Sequence, residues 1–295
     1  MLSTDLPDTL ARMEATVDLT CTSFSFPLLP FERSLQQIEL LEIGAVDLGA
    51  HLEGTHLSVE AIEADPQGEA DRVKRAVDAA GLAIADLFPT FGRGFRDRPV
   101  NTPDPALRDA NRRRFAALVE FCRATGCPGM TLLPGVIWDE LGPDRSFEIA
   151  AASLTEFVAT GRAAGLRVSI EPHLESVVEA PERALALVEA VPGLQFTLDY
   201  SHFVAAGLPA ERVHPLIPHV GHFHARQAAL GQLQSVRGEG TIDFSDIVRR
   251  LVASGYDGYI SIEYTWQEWR DCNRLDVVSE SVMLRDELRG YLAFA

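Results

Sequence analysis

Residues 166–199 read LRVSIEPHLESVVEAPERALALVEAVPGLQFTLD, and this stretch contains the repeating unit of the fold. Residues 166–171 and 195–199 are each predicted to form a strand. Residues 181–190 lie between them, open with a proline and are predicted to form a helix. The stretch therefore predicts a strand–helix–strand unit, and units of this kind build parallel sheets.

The same alternation continues along the chain. Predicted strands occupy residues 16–22, 45–48, 82–88, 129–133, 166–171, 195–199, 219–224 and 259–263. Predicted helices occupy residues 31–43, 59–80, 104–125, 146–164, 181–190, 209–217, 244–254 and 273–292. Eight such pairs predict an α/β fold, a single (β/α)8 TIM barrel over residues 1–295. An open doubly wound sheet is the alternative, but it normally has a glycine-rich first turn, and here that turn reads Cys21-Thr22-Ser23-Phe24.

Composition narrows the classes of function. The 295 residues include 46% hydrophobic and 23% charged residues, which is ordinary for a globular protein. The net charge of −17 disfavours a nucleic-acid partner, because such partners are bound by clustered Lys and Arg. No signal peptide or membrane span is expected, so we predict a cytoplasmic protein without a membrane partner. The four cysteines do not form the paired motifs of a zinc ribbon.

Four predicted strands of the second half end on a residue that binds metals in many proteins: Glu171, Asp199, His224 and Glu263. The residue before each is apolar: Ile170, Leu198, Phe223 and Ile262. Because side chains alternate faces along a strand, the apolar residues suit the helix-facing side and the polar ones point into the barrel. We expect the polar four to converge at the C-terminal mouth, where barrel enzymes hold their active sites.

Three carboxylates and one imidazole at one point would repel each other, and each buried unpaired carboxylate costs several kcal/mol. A divalent cation removes that cost, so the pattern predicts one bound ion. Oxygen-rich ligation with one nitrogen suits Mn2+, Mg2+, Co2+ or Zn2+. A single Glu or Asp at the end of a strand is more typical of a helix cap or a salt bridge. The prediction therefore depends on finding four such candidate ligands at equivalent positions of consecutive strands.

The motifs resemble those of the xylose isomerase-like barrels, in particular the sugar phosphate isomerase/epimerase group. The matching segments are Ile170-Glu171-Pro172, Asp199-x-x-His202, Gly221-His222-x-His224, Gly238-Glu239-Gly240-Thr241-Ile242-Asp243 and Ser261-Ile262-Glu263. The group includes ketose 3-epimerases and hydroxypyruvate isomerases. The resemblance implies that Glu171, Asp199, His224 and Glu263 bind the metal and that His202 contacts substrate.

The chain departs from that pattern after the seventh strand. Ketose 3-epimerases usually carry a substrate-binding arginine six residues past the seventh-strand histidine, and here that position is Leu230. Arg237 is the preferred substitute, because it precedes Gly238-Glu239-Gly240, and Arg226 is the second candidate. His173 is a further candidate substrate contact, and His222 is either a neighbour of the metal ligands or a contact to the metal itself. Five loop residues are candidates for the pocket wall: His51, His56, Phe91, Trp138 and Trp266.

These observations predict a metal-dependent isomerase or epimerase that acts on a small ketose or hydroxy-ketone through an enediolate. Glu171 and Glu263 are the predicted catalytic pair, one removing a proton and the other returning it. A dehydratase or lyase of a keto-inositol or dehydroshikimate-type substrate is the alternative from the same chemistry. An endonuclease IV-like repair enzyme and a non-catalytic sugar-binding barrel are the rival classes. The expected partner is a small carbohydrate, and the sequence is compatible with a homo-oligomer.

Overall fold

A computed structural model describes residues 17–51 and 55–295, and in it eight parallel strands close into a barrel in sequence order. The strands are β1 (Asp18–Thr22), β2 (Ala45–Ala50), β3 (Ala83–Pro89), β4 (Gly129–Leu132), β5 (Arg167–Ile170), β6 (Gln195–Asp199), β7 (Val220–Ala225) and β8 (Tyr259–Ile262). β1 closes the ring by pairing with β8 from Asp18↔Tyr259 to Cys21↔Ile262. The predicted (β/α)8 barrel is confirmed. The predicted start of the first strand, Thr16, lies outside the described residues.

Helices connect the strands and surround the barrel. They are α1 (Phe31–Leu40), α2 (Val59–Ala64), α3 (Pro66–Ala79), α4 (Pro105–Thr125), α5 (Gly142–Ala163), α6 (Pro181–Ala190), α7 (Tyr200–Ala205), α8 (Ala210–Val213), α9 (Phe244–Ala253) and α10 (Val277–Leu292). The prediction of one helix over 59–80 is wrong, because the helix is interrupted at Asp65, whose φ is −149°. Pro66 disfavours helical geometry in the residue before it, and the Asp65 side chain accepts a hydrogen bond from the Gly68 N–H and so begins a new helix.

Other helix bounds differ where capping interactions decide them. The last helix was predicted from residue 273, but α10 begins at Val277 because the Asp276 carboxylate accepts a hydrogen bond from Ser279 N. The predicted helix over 209–217 is a single α-helical turn, α8, followed by the 3-10 segment His214–His219. The short helix α7, which starts directly after β6, was not predicted from the sequence.

Side chains along the strands alternate between the helix-facing side and the barrel interior, as predicted. Ile170, Leu198, Phe223 and Ile262 are fully buried in the hydrophobic core between barrel and helices. The interior of the barrel instead contains a polar layer. Arg167 Nη2 lies 2.6 Å from Asp86 Oδ1, and Thr131 Oγ1 donates to Asp86 Oδ2 at 2.5 Å. This layer pairs the Arg167 guanidinium with a buried carboxylate near the start of β5, and a second polar cluster lies at the opposite end of the barrel.

Within the described ranges, 17–51 and 55–295, no helix has both the length and the apolar character needed to cross a bilayer.

Candidate functional site

The carboxyl ends of β5 to β8 bring the four predicted ligands to one place. Asp199 is the last residue of β6 and His224 the fifth of β7, and the two are paired across the sheet. Glu171 and Glu263 directly follow β5 and β8. All four side chains are buried, with at most 5% exposure. Strand register therefore places them at the C-terminal mouth of the barrel.

His224 connects the two glutamates. Its Nδ1 lies 2.8 Å from Oε1 of Glu171 and 3.2 Å from Oε2 of Glu263. These three residues can each offer a ligand atom within 4.8 Å of the others, and so can Glu171, Asp199 and His202. Glu171 belongs to both sets, so the four predicted ligands form a continuous cluster.

Arg226 is buried within this cluster. Its Nη2 lies 2.8 Å from Asp199 Oδ2 and 3.4 Å from Glu263 Oε2, and its Nε donates to Ser201 Oγ at 3.0 Å. Arg226, the second candidate for the substrate-binding arginine, thus lies against the carboxylates. Nη1 makes no hydrogen bond within the described part of the chain, and Arg226 lines the cavity described below.

The two glutamates have opposite electrostatic surroundings. Burial, reinforced by the negative charge of Glu263, raises the pKa of Glu171 to about 7. Burial also acts to raise the pKa of Glu263, but the Arg226 guanidinium and His224 outweigh it and lower that pKa to about 2. For His224, burial favours the neutral ring, yet the adjacent Glu263 and Glu171 raise its pKa well above the usual value. Without an ion, the site therefore takes up protons to balance its carboxylates.

The residues present fit a divalent cation. Oε2 of Glu263 is buried and lies 3.2 Å from His224 Nδ1 and 3.4 Å from Arg226 Nη2, but neither contact has hydrogen-bond geometry, and no other described residue bonds to it. Glu171, Asp199 and Glu263 place three carboxylates against one guanidinium, so negative charge exceeds positive charge. Three carboxylates and an imidazole are a donor set that suits hard or borderline divalent ions.

A fourth buried carboxylate was missed by the sequence analysis. Asp47 lies in β2, and its Oδ2 is 2.6 Å from His222 Nε2 and 3.8 Å from His224 Nε2. Of the two roles left open for His222, the hydrogen bond to Asp47 supports that of a neighbour behind the ligand histidine. The one available signal was an isolated acid within the apolar run Ala45–Ala50.

A cavity of about 440 Å³ opens above the cluster. Glu171, Glu263, His173, His202 and Arg226 line its inner part. Its wall also contains aromatic side chains: Phe24, Phe88, Phe95, Trp266 and Trp269. This volume lies within the range of about 300–1,000 Å³ that is typical of small-molecule pockets.

The backbone of Leu174 contacts two pocket histidines. Its carbonyl oxygen lies 2.6 Å from His173 Nδ1, so that nitrogen donates and Nε2 of His173 is left as an acceptor. Its N–H donates to His202 Nδ1 at 3.3 Å, and Arg226 Nη2 lies 3.4 Å from His202 Nε2, so N–H groups face both ring nitrogens of His202. Burial lowers the pKa of His173 to about 4 and lowers that of His202 well below the usual value. Both rings are therefore neutral.

Other predicted site residues lie elsewhere. The interpretation of Arg237 as the substrate-binding arginine needs correction, because its side chain is 56% exposed, pairs with Glu287 of α10 and does not line the cavity. His51 and Trp266 do line it. Three wall candidates have other contacts: His56 bonds Leu29 O, Trp138 donates to Asn101 O, and Phe91 packs on Phe157. Leu230, at the position of the family arginine, is 77% exposed.

Comparison with known proteins agrees with this architecture. A family described as xylose isomerase-like TIM barrel matches residues 44–287. A Mus musculus protein provisionally named hydroxypyruvate isomerase is 26% identical over 209 residues, which are 64% of this chain and 72% of that protein. An uncharacterized protein of Methanocaldococcus jannaschii is 33% identical over 122 residues, which are 38% of this chain and only 41% of that protein.

Solved structures share the fold at low identity. A D-psicose 3-epimerase with D-tagatose from Clostridium cellulolyticum H10 superposes with a TM-score of 0.74 at 15% identity, covering 94% of this chain and 99% of that one. A Mycobacterium smegmatis barrel protein in complex with magnesium superposes with a TM-score of 0.71 at 14% identity, covering 94% and 97%. The resemblance inferred from the sequence motifs is confirmed.

Proposed function

Because the chain belongs to the xylose isomerase-like TIM barrel family, we propose that it is a divalent-metal-dependent isomerase or epimerase of a small ketose or hydroxy-ketone. One observation carries the proposal. Glu171 and Glu263 follow the non-adjacent strands β5 and β8, both line the cavity, and both approach His224 Nδ1, at 2.8 and 3.2 Å. Two carboxyl groups at the base of one pocket suit removal of a substrate proton and its return.

The comparisons support the reaction class. One relative bears the name of a hydroxypyruvate isomerase, and one structural neighbour is an epimerase described with D-tagatose. Both names describe reactions in which a proton leaves and returns to a carbon next to a carbonyl group. Another neighbour is described with magnesium, which supports a divalent ion at the carboxylate cluster.

Glu171, Asp199, His224 and Glu263 would hold the ion. When bound, it would act as a Lewis acid that polarises the substrate carbonyl group. In the chain itself, Glu171 and Glu263 both line the cavity, so one would remove the substrate proton and the other would return it.

The neutral histidines and Arg226 would orient the substrate. His173 offers a lone pair at Nε2 to a substrate hydroxyl group. Nη1 of Arg226 offers a donor, while Nε and Nη2 are held by Ser201 and Asp199, so hydroxyl groups of either hydrogen-bonding sense find a partner. The aromatic wall, which includes Phe95 and Trp269, suits the C–H faces of a sugar and excludes water from the carboxylates.

Deuterium exchange tests the proposal. The protein, loaded with Mg2+, is incubated in D2O with individual ketoses and with hydroxypyruvate, and proton NMR follows the signals of carbon-bound hydrogen. We expect deuterium at one carbon next to the carbonyl of the true substrate, and none with the Glu171→Gln/Glu263→Gln double variant. Return of the proton to the same carbon identifies an epimerase, and return to the neighbouring carbon an isomerase. Binding of a sugar without any exchange would instead identify a sugar-binding protein.

A further inference from the structure

The Arg226 guanidinium is a permanent positive charge inside the carboxylate cluster. Its side chain is 3% exposed, and its Nη2 lies 2.8 Å from Asp199 Oδ2 and 3.4 Å from Glu263 Oε2. A guanidinium does not lose its proton in proteins; burial alone would lower the pKa of Arg226, but the neighbouring Glu263 and Asp199 raise it further. Asp199 and Glu263, two of the four residues assigned to the divalent ion, are thus already in contact with a cation of the chain.

Asp199 has a second hydrogen bond besides its contact with Arg226, so the charge of Arg226 can be removed while the carboxylate stays in position. Asp199 Oδ1 accepts a hydrogen bond from the Ser201 N–H at 2.7 Å, at the start of α7. That bond holds the carboxylate even when Arg226 is absent. Loss of Arg226 would therefore remove a positive charge and leave one anchor of the carboxylate in place.

We propose that Arg226 sets the affinity of the site for divalent ions, balancing Asp199 and Glu263 when no ion is bound and weakening ion binding through its own charge. The inference rests on the metal site of the proposed function. Arg226 acts as a positioning residue here, through the carboxylates that it contacts. Like charges repel strongly in a buried site, where water screens them little. The protein therefore folds without the ion and exchanges it readily.

The barrel offers a matched control. Arg167 is also a buried guanidinium paired with a buried aspartate, since its Nη2 lies 2.6 Å from Asp86 Oδ1. Arg167 belongs to the interior polar layer and contacts none of the four predicted ligands within the described residues. Arg167→Met thus removes the same side chain from the same barrel without changing the charge at the mouth.

Isothermal titration of MnCl2 into EDTA-stripped protein tests the proposal. We expect Arg226→Met to bind Mn2+ at least tenfold more tightly than the wild-type chain. Arg226→Lys, which keeps the charge, and Arg167→Met should both stay within about threefold of the wild type. Equal Mn2+ affinity in wild type and Arg226→Met would overturn the proposal, and so would weaker binding in Arg226→Met.

Thermal unfolding provides a second readout. Without metal, Arg226→Met should melt at a lower temperature than the wild type, and saturating Mn2+ should raise its Tm by more than it raises that of the wild type. If Arg226→Met does not fold without metal, folding on addition of Mn2+ is the expected result. A variant that stays unfolded at saturating Mn2+ would contradict the proposal, because the ion then does not replace the guanidinium.

The two proposals fail in different ways. If neither the wild type nor Arg226→Met binds Mn2+, Mg2+, Co2+ or Zn2+, the metal site of the proposed function is wrong. If both bind with the same affinity, the metal site stands and only the role of Arg226 is wrong.

Discussion

Glu171 and Glu263 converge on a single nitrogen, with Oε1 of Glu171 2.8 Å and Oε2 of Glu263 3.2 Å from His224 Nδ1. The pair is unequal because the Arg226 guanidinium lies beside Glu263, at 3.4 Å. Two acids at similar depth in one pocket thus differ in the ease with which they hold a proton.

The first prediction follows from that inequality. Glu171→Gln and Glu263→Gln should each lower kcat by about two to four orders of magnitude, because each removes one proton transfer. One of the two variants should retain exchange of substrate hydrogen with D2O, because one of the two proton transfers survives. NMR exchange and turnover are measured side by side, with metal content determined for each variant. If both variants kept near-normal turnover, the two-glutamate mechanism would have to be abandoned.

Metal content gives the second prediction. We expect about one divalent ion per chain, and His224→Ala and Asp199→Ala should lose both the ion and activity. His219→Ala is a suitable control, because His219 lies outside the cavity wall and outside the candidate ligand clusters of the described residues. Elemental analysis of dialysed protein measures the ion. Full activity after EDTA treatment would falsify metal dependence.

The third prediction concerns the pocket-facing nitrogen of His202. Its Nδ1 accepts from the Leu174 N–H, while its Nε2 lies 3.4 Å from Arg226 Nη2 in the wall of the cavity. In His202→Gln the side-chain amide reaches the position of Nε2, whereas in His202→Asn it stays near Nδ1. We expect KM to rise roughly tenfold or more in the Asn variant, the usual cost of a lost buried hydrogen bond, and less in the Gln variant. Equal KM values in the two variants would show that no polar group at the position of Nε2 is needed.

Stability without metal should depend on pH through Glu171. Its pKa in the folded protein is about 7, above the usual 4.5, so the stability that it contributes is complete below pH 4.5 and is lost as the pH rises through 7. The raised pKa of His224 acts in the same direction above its usual 6.5. The lowered pKa of Glu263 matters only below 4.5.

In EDTA, the free energy of unfolding of the wild type relative to that of Glu171→Gln should therefore fall between about pH 5 and pH 7. The neutral His173 and His202 add stability as the pH rises, but they do so in both chains and leave this difference unchanged. Saturating Mn2+ should reverse the trend, because the ion binds ionised carboxylates. Denaturant titrations across this pH range measure both effects. A wild type and Glu171→Gln with parallel pH profiles would argue against a buried, protonated Glu171.

The fifth prediction is a near-absence of effect. Arg237 lies on the surface, paired with Glu287, so Arg237→Ala should leave kcat/KM within about twofold and Tm almost unchanged. Arg226→Ala, in contrast, should alter both kinetics and metal binding. Steady-state kinetics of the two variants decide between the two arginines. A large loss in Arg237→Ala alone would restore it as the substrate-binding residue.

The sequence was sufficient for the barrel and for the positions of the four candidate ligands. Both follow from local rules, because strands and helices alternate and a polar residue at the end of each late strand points to the mouth. Asp47 was not predicted as a site residue, because it lies within an apolar strand and its partner His222 is distant in the sequence. A pairing at such separation has no local signal in the sequence.

Loop residues were the least predictable. Arg237 was chosen because glycines follow it, but its backbone N–H bonds Glu280 and its side chain bonds Glu287, both on α10. Phe95 and Trp269 reach the pocket from two different loops and touch each other with ring centroids 5.3 Å apart. Tertiary contacts, rather than residue type, decide where such side chains lie.

The backbone N–H and carbonyl groups of Leu174 form hydrogen bonds in the pocket that the identity of the residue does not reveal. The side chain at this position packs with Leu233 and Cys272, while its N–H donates to His202 Nδ1 and its carbonyl oxygen accepts from His173 Nδ1. Every amino acid except proline supplies both groups, so these two hydrogen bonds depend on the backbone and not on the leucine side chain. Alignments scored by side chain will not detect this constraint. Anyone transplanting the pocket to another barrel must therefore copy the path of the main chain through residue 174 as well as the residues of the pocket.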